Sequence, residues 1–119
     1  MLQQTDYNPN VPIYLQIMSK IRVKIVSGQW KEGGRVPSVR ELSAVFGVNP
    51  NTMQRALTEL EREGLLYSER TSGRFVTKDT ARIAQARETF GKEIIGHLLE
   101  ELTALGYTKE QIAQLVMEG

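Results

Sequence analysis

A chain of 119 residues with 40% hydrophobic content holds one ordinary domain or a small domain with an appendage, and the lack of cysteine excludes a disulfide framework and a thiolate metal site. No run approaches the roughly 18 apolar residues of a membrane span, and Met1-Leu2-Gln3-Gln4-Thr5-Asp6 lacks the regions of a signal peptide, so a cytoplasmic protein is expected. The net charge of +1 hides an asymmetry: residues 1–78 hold 11 of the 15 basic but only 7 of the 14 acidic side chains, which fits a phosphate-binding module followed by an acidic element that avoids phosphate.

Residues 1–10 are predicted as an extended arm, with turn chemistry at Asn8-Pro9-Asn10 and no periodicity. A helix is predicted from Pro12 to Ser27, because Ile13, Ile17, Ile21 and Ile25 recur every four residues and Gly28 ends the run. Lys20, Arg22 and Lys24 lie off that stripe, as solvated side chains or phosphate contacts. Gln29 to Pro37 reads as a loop in which Trp30 fills the gap between the first helix and the helix-turn-helix that follows, and Arg35-Val36 as a short strand beside a later hairpin.

Val36 to Val76 carries the most information. Ser38-Val39-Arg40-Glu41 is a capping box that opens a helix ending at Phe46, and Gly47 supplies a left-handed stop. A second helix opens at Asn49-Pro50-Asn51-Thr52, with Asn49 as cap and Pro50 at the first helical position. Its apolar stripe is Met53, Ala56, Leu57 and Leu60; its opposite face carries Asn51, Arg55, Thr58 and Arg62. Two helices this short and close form a helix-turn-helix, whose second helix enters the DNA major groove. After Gly64 the period changes to two: Leu65 to Glu69 and Arg74 to Thr77 are predicted strands, joined by Arg70-Thr71-Ser72-Gly73. The hairpin makes the motif a winged helix, with Arg70, Arg74 and Lys78 expected around its tip and Gly73 expected to let the wing approach the sugar-phosphate backbone.

The chemistry of that surface is specific. Asn51 can pair bidentately with adenine and Arg55 with guanine, each contact being worth about 1–3 kcal/mol of discrimination. Thr52 and Gln54 flank them, helix-terminal amides favour phosphate, and Arg40 faces the DNA backbone. Arg62, like Arg55, offers charge, the competing reading being that it pairs with Glu59 or Glu63; these two and Glu61 are badly placed for phosphate, so the far end of this helix is expected to lie away from DNA.

From Thr80 a long helix is predicted to Leu105, with Phe90, Ile94, Ile95, Leu98, Leu99, Leu102 and Leu105 on one broad apolar face. A shorter helix opens at a second capping box, Thr108-Lys109-Glu110-Gln111, and is expected to bury Ile112, Leu115 and Val116. The face is too wide for one short partner, so pairing with a second chain through Phe90, Ile94, Leu98 and Leu102 is expected, in an isologous interface. The competing reading folds the tail back onto its own winged helix. A dimer predicts an inverted-repeat operator with half-sites about one helical turn, or a multiple, apart.

The runs Val36-Pro37-Ser38-Val39-Arg40-Glu41-Leu42-Ser43, Phe46-Gly47-Val48-Asn49-Pro50-Asn51-Thr52, Ala56 to Leu65 and Gly73-Arg74-Phe75-Val76 resemble the GntR family of bacterial transcription regulators over residues 12–78. The resemblance implies that Arg40 binds phosphate and that the start of the recognition helix and the wing glycine meet the operator. Many members carry Ser/Thr-Arg-Thr-Thr where this chain has Asn49-Pro50-Asn51-Thr52, a departure similar to the YtrA subfamily, so no arginine contact is carried to position 50. The wing reads Ser72-Gly73-Arg74-Phe75 rather than Gly-x-Gly-Thr-Phe. YtrA-like regulators have a two-helix dimerising tail, and their targets often include their own operon and membrane-transporter genes.

The expected architecture is therefore mostly α with a small β-hairpin: a winged helix-turn-helix over 1–78 and a two-helix dimerisation domain over 79–119. The expected DNA-binding set is Ser38, Arg40, Asn49, Asn51, Thr52, Gln54, Arg55, Arg70, Ser72, Gly73 and Arg74. The expected function is a regulator, a repressor in preference to an activator, with no cofactor and with any small-molecule effector unassigned. Two other classes compete with this reading. Glu93, His97 and Glu101 share a helical face at metal-ligand spacing, but a solvated charged face is the commoner use, and no nucleophile stands beside a base, so enzymatic function is not expected. A protein-interaction module built on the winged helix, without specific DNA binding, is the alternative.

Overall fold

Residues 7–119 are described by a computed structural model, and the arm's first six residues lie outside that range. The elements run α1 (Ile13–Val26), α2 (Val39–Phe46), α3 (Pro50–Arg62), β1 (Leu66–Glu69), β2 (Gly73–Val76), α4 (Thr80–Ala104) and α5 (Lys109–Glu118). The chain divides into two compact units, Met1–Ala84 and Gln85–Gly119.

The core of the first unit is where two helical stripes meet. Ile17, Ile21 and Ile25 of α1 and Met53, Ala56, Leu57 and Leu60 of α3 are fully buried, as their four-residue and three-four spacings predict. Leu42 and Phe46 of α2 close the core on one side; Leu65, Leu66 and Val76 close it under the hairpin. Each such side chain contributes about 1.5–3 kcal/mol on burial. Both caps of the helix pair form. Ser38 Oγ accepts from the Glu41 N–H at 3.1 Å while the Glu41 carboxylate accepts from the Ser38 N–H, and Gly47 ends α2 in the left-handed region at φ 67°.

The hairpin pairs Leu66 with Val76, Tyr67 with Phe75, Ser68 with Arg74 and Glu69 with Gly73. Tyr67 and Phe75 stack at 5.6 Å between centroids. The segment before α2 adds to the hairpin edge as the sequence predicts: Arg35 bridges Phe75, the Val36 N–H donates to Arg74 O at 2.8 Å, and the Gly33 N–H donates to Val76 O at 2.9 Å.

Two expectations are corrected, for the arm and for α5. The described end of the arm is not extended and loose: Tyr7 is buried, its hydroxyl donates to Phe46 O at 2.7 Å, and Gln16 Nε2 donates to the carbonyls of Asn8 and Val11 at 2.8 Å. An aromatic ring near the end of a polar segment had a core site to fill, which local turn chemistry does not reveal. Trp30, expected to fill the gap between α1 and the helix-turn-helix, is largely but not fully buried, and its backbone N–H donates to Lys24 O at 2.8 Å. In the second unit α5 keeps its predicted capping box, with the Gln111 N–H donating to Thr108 Oγ1 at 3.2 Å, but of its apolar residues only Ile112 is buried; Leu115 and Val116 stay exposed. On α4, Ile94, Ile95 and Leu98 are also exposed, while Phe90 and Leu102 are half-buried.

Candidate nucleic-acid interface

The solvent face of α3 begins at its cap. Asn49 Oδ1 accepts from the Asn51 N–H at 2.7 Å, and Pro50 occupies the position where no intrahelical donor is lost. The buried stripe turns the opposite face outward, leaving Asn51, Gln54 and Arg55 exposed and Thr52 partly so. Asn51 and Arg55, four residues apart, share one side of the helix. Gln54 Nε2 donates to Thr58 Oγ1 at 3.2 Å, one turn on.

Arg55 is held from outside its own helix. Its guanidinium carbon lies 3.8 Å from the centroid of the Tyr14 ring of α1. A ring's negative face attracts the cation, and a guanidinium stacked in this way keeps its in-plane N–H edges available to an acceptor. Tyr14 is a residue that sequence reasoning missed. It sits off the isoleucine stripe, and only the packing of α1 on α3 brings it to Arg55.

The carboxyl-terminal half of α3 is electrostatically closed. Glu59 pairs with Arg62 at 2.9 Å, Glu63 with Arg22 at 2.8 Å and Glu61 with Arg74 at 3.4 Å. Arg22 therefore meets a carboxylate rather than standing as an open cation of α1. Glu61 also accepts from Ser68 Oγ, which ties the helix to β1.

Of the three cations expected at the wing tip, only Arg70 stands there, exposed and without a hydrogen bond or ion pair among the described residues. Arg74 is turned away onto Glu61, with a side chain only 16% exposed. The stem of Lys78 lies alongside Gly33, at the other end of the hairpin. Ser72 is exposed, and its N–H closes the turn onto Glu69 O at 3.3 Å. Gly73 has φ 112°, a conformation open to glycine. Arg40, on α2, is exposed and unpaired among the described residues. Ser38 and Asn49 spend their side-chain oxygens on capping.

Residues 13–76 match the model of the bacterial regulatory proteins, gntR family. The chain belongs to the GntR family. Among relatives, this GntR chain is 31% identical over 116 residues to the HTH-type transcriptional repressor YtrA of Bacillus subtilis (strain 168), a match covering 97% of this chain and 89% of YtrA. That match includes the tail, as the YtrA-like reading of Asn49-Pro50-Asn51-Thr52 expects. A solved GntR family transcriptional regulator from Listeria monocytogenes has a TM-score of 0.87 and 36% identity, over 95% of this chain and 99% of that one. The DNA-binding domain of AraR, solved in complex with operator ORR3, has a TM-score of 0.54 and 34% identity, over 56% of this chain and 81% of that one.

The GntR chain is a DNA-binding transcription regulator, in a family of regulators rather than enzymes. Among the described residues no helix is long and apolar enough to cross a membrane. No group of His, Asp and Glu among them is placed to hold a metal ion, Glu93, His97 and Glu101 included.

Proposed function

We propose that the chain is a homodimeric repressor that occupies an inverted-repeat operator in the cytoplasm. The observation that carries the reading is the division of α3. Its first two turns present Asn51, Thr52, Gln54 and Arg55 outward, while Glu59 and Glu61 of its last turns and Glu63 at its cap are paired with arginines. Such a helix offers base-reading donors and acceptors at one end only, the way a recognition helix enters a groove. Arg40 and Arg70 supply phosphate contacts from α2 and the wing; the backbone at Ser38, Asn49, Ser72 and Gly73 lines the same approach. The relatives support this reading: YtrA is a repressor, and AraR's domain was solved on operator DNA.

The second copy is the proposed occupant of the apolar face of α4. Ile94 and Leu98 are 56% and 40% exposed, and Leu115 and Val116 of α5 add to the apolar area that stays open to solvent in one chain. Two-fold pairing there gives two recognition helices and a dyad in the DNA. Repression follows most simply from occupying a promoter. The protein's own operon and adjacent transporter genes are the proposed targets.

Footprinting on the chain's own upstream region tests the model. A symmetric protected site is expected. Protection without a dyad would overturn the dimer on an inverted repeat, and specific binding that survives combined Asn51→Ala and Arg55→Ala would overturn the recognition helix in favour of another surface.

A further inference from the structure

We propose that Arg35, in the loop before α2, makes the phosphate contact beside the wing, in the place that sequence reasoning gave to Arg74. The proposal rests on the winged helix meeting DNA through the α2 start and Gly73, and it adds a residue and a role to that reading. Arg35 is pinned at its backbone: it bridges Phe75, and on either side of it the Val36 N–H donates to Arg74 O at 2.8 Å and the Val76 N–H donates to Gly34 O at 2.9 Å. From that fixed origin its side chain reaches the wing. A β-carbon on Gly73 would stand 3.4 Å from Arg35 Nε and 3.5 Å from Nη2. The guanidinium therefore rests against the one wing residue that has no side chain to displace it.

Three further observations point the same way. Arg35 is exposed and has no hydrogen bond or ion pair among the described residues. It lines an open groove shared with Ser38 at the α2 cap and Gly73 at the wing, so it sits between two points already argued to face DNA. Two carboxylates line the groove, and neither pairs with it: Glu41 is engaged by Ser38, and Glu69 forms no ion pair among the described residues. Arg74 lines the same groove but differs in exposure and pairing. Its Nε is buried 3.4 Å from the Glu61 carboxylate, so its charge is already offset by the protein. A planar guanidinium with an unpaired fork suits two oxygens of one phosphate, which an ammonium meets only as a point charge. Gly73 then serves to seat Arg35, besides allowing the turn.

The test uses the full chain and a duplex that the wild-type chain itself selects from a random-sequence pool, with calf-thymus DNA as the unselected probe. Affinity is measured across a salt series. Each phosphate contact contributes about 0.9 to the slope of log affinity against log salt. Arg35→Ala and Arg35→Gln are each expected to lower that slope by about 0.9 per bound protomer, to weaken binding to both probes, and to leave the selected base preference unchanged. Arg35→Gln keeps a stem against Gly73 and removes only the charge, so it separates loss of contact from a disturbed wing. Arg74→Ala is expected to leave the slope unchanged. An unchanged slope in both Arg35 variants, or a reduced slope in Arg74→Ala alone, would overturn the assignment. A base preference altered by Arg35→Gln with the slope intact would also overturn it, by making the residue a base reader. Failure of the wild-type chain to select any duplex would instead bring down the underlying DNA reading.

Discussion

The Arg55 guanidinium carbon lies 3.8 Å from the centroid of the Tyr14 ring, so a side chain argued to read bases is supported from another helix. An arginine on an exposed helix face samples many rotamers, and ordering it on binding costs about 0.5–1.5 kcal/mol. The ring reduces that cost by holding the guanidinium beforehand. Tyr14→Leu is expected to weaken binding to the selected operator by about 2- to 5-fold, the equivalent of a cation–π contact of about 0.5–1 kcal/mol. Tyr14→Phe keeps the ring and is expected to bind nearly as wild type. In an Arg55→Ala background Tyr14→Leu is expected to add nothing. Fluorescence anisotropy on the four variants checks this, and an equal loss in both backgrounds would reduce Tyr14 to a packing residue.

Asn51 and Arg55 are expected to set sequence preference while Arg40 sets affinity. Alanine at Asn51 or Arg55 is expected to remove the proposed bidentate base contact, at about 1–3 kcal/mol, or about 5- to 150-fold in affinity for the selected duplex. Binding to calf-thymus DNA changes much less. Arg40→Ala is expected to weaken both probes by similar factors, because a phosphate contact carries no base information. The ratio of the two affinities for each variant is the measurement. A ratio unchanged in Asn51→Ala and Arg55→Ala would place base reading elsewhere.

Local signals made the fold legible, and the parts of the interface that escaped them depend on distance along the chain. Ser38 and Glu41, Asn49 and Asn51, and Thr108 and Gln111 are close in sequence, so their caps can be read from spacing alone. The burial of Met53, Ala56, Leu57 and Leu60 follows from helical period in the same way. Tyr14 against Arg55, Arg35 against Gly73, Arg22 against Glu63 and Tyr7 against Phe46 instead join segments far apart in sequence. No periodicity encodes such pairs. The displacement of Arg74 from the wing tip has the same origin, because β1–β2 register brings it over Glu61 only once the hairpin packs on α3.

Stability of the winged helix is expected to depend unequally on its core and its caps. Leu57 is fully buried where α3 meets α1, so Leu57→Ala removes a packed side chain and leaves a cavity, at a cost of about 2–5 kcal/mol. Ser38→Ala leaves the Glu41 N–H to water and costs about 1 kcal/mol. Urea unfolding followed by circular dichroism separates the two. A smaller loss for Leu57→Ala than for Ser38→Ala would mean that the α1–α3 contact is not the main source of stability.

The proposed dimerisation through the second unit is expected to be breakable without disturbing the first. Ile94 and Leu98 are exposed in the single chain, so Ile94→Glu combined with Leu98→Glu removes little intramolecular packing. In the proposed seam the same pair of substitutions places four like charges near the two-fold axis and takes them out of water, which opposes association. Sedimentation velocity is expected to show a dimer for wild type and a monomer for the variant at the same concentration. Circular dichroism of the two is expected to agree. A monomer engages one half-site at a time, so the slope of log affinity against log salt is expected to fall to about half its wild-type value, along with the loss of the second set of phosphate contacts. If the double variant stays dimeric and its footprint stays symmetric, the two copies join through another surface and the apolar face of α4 has a different occupant.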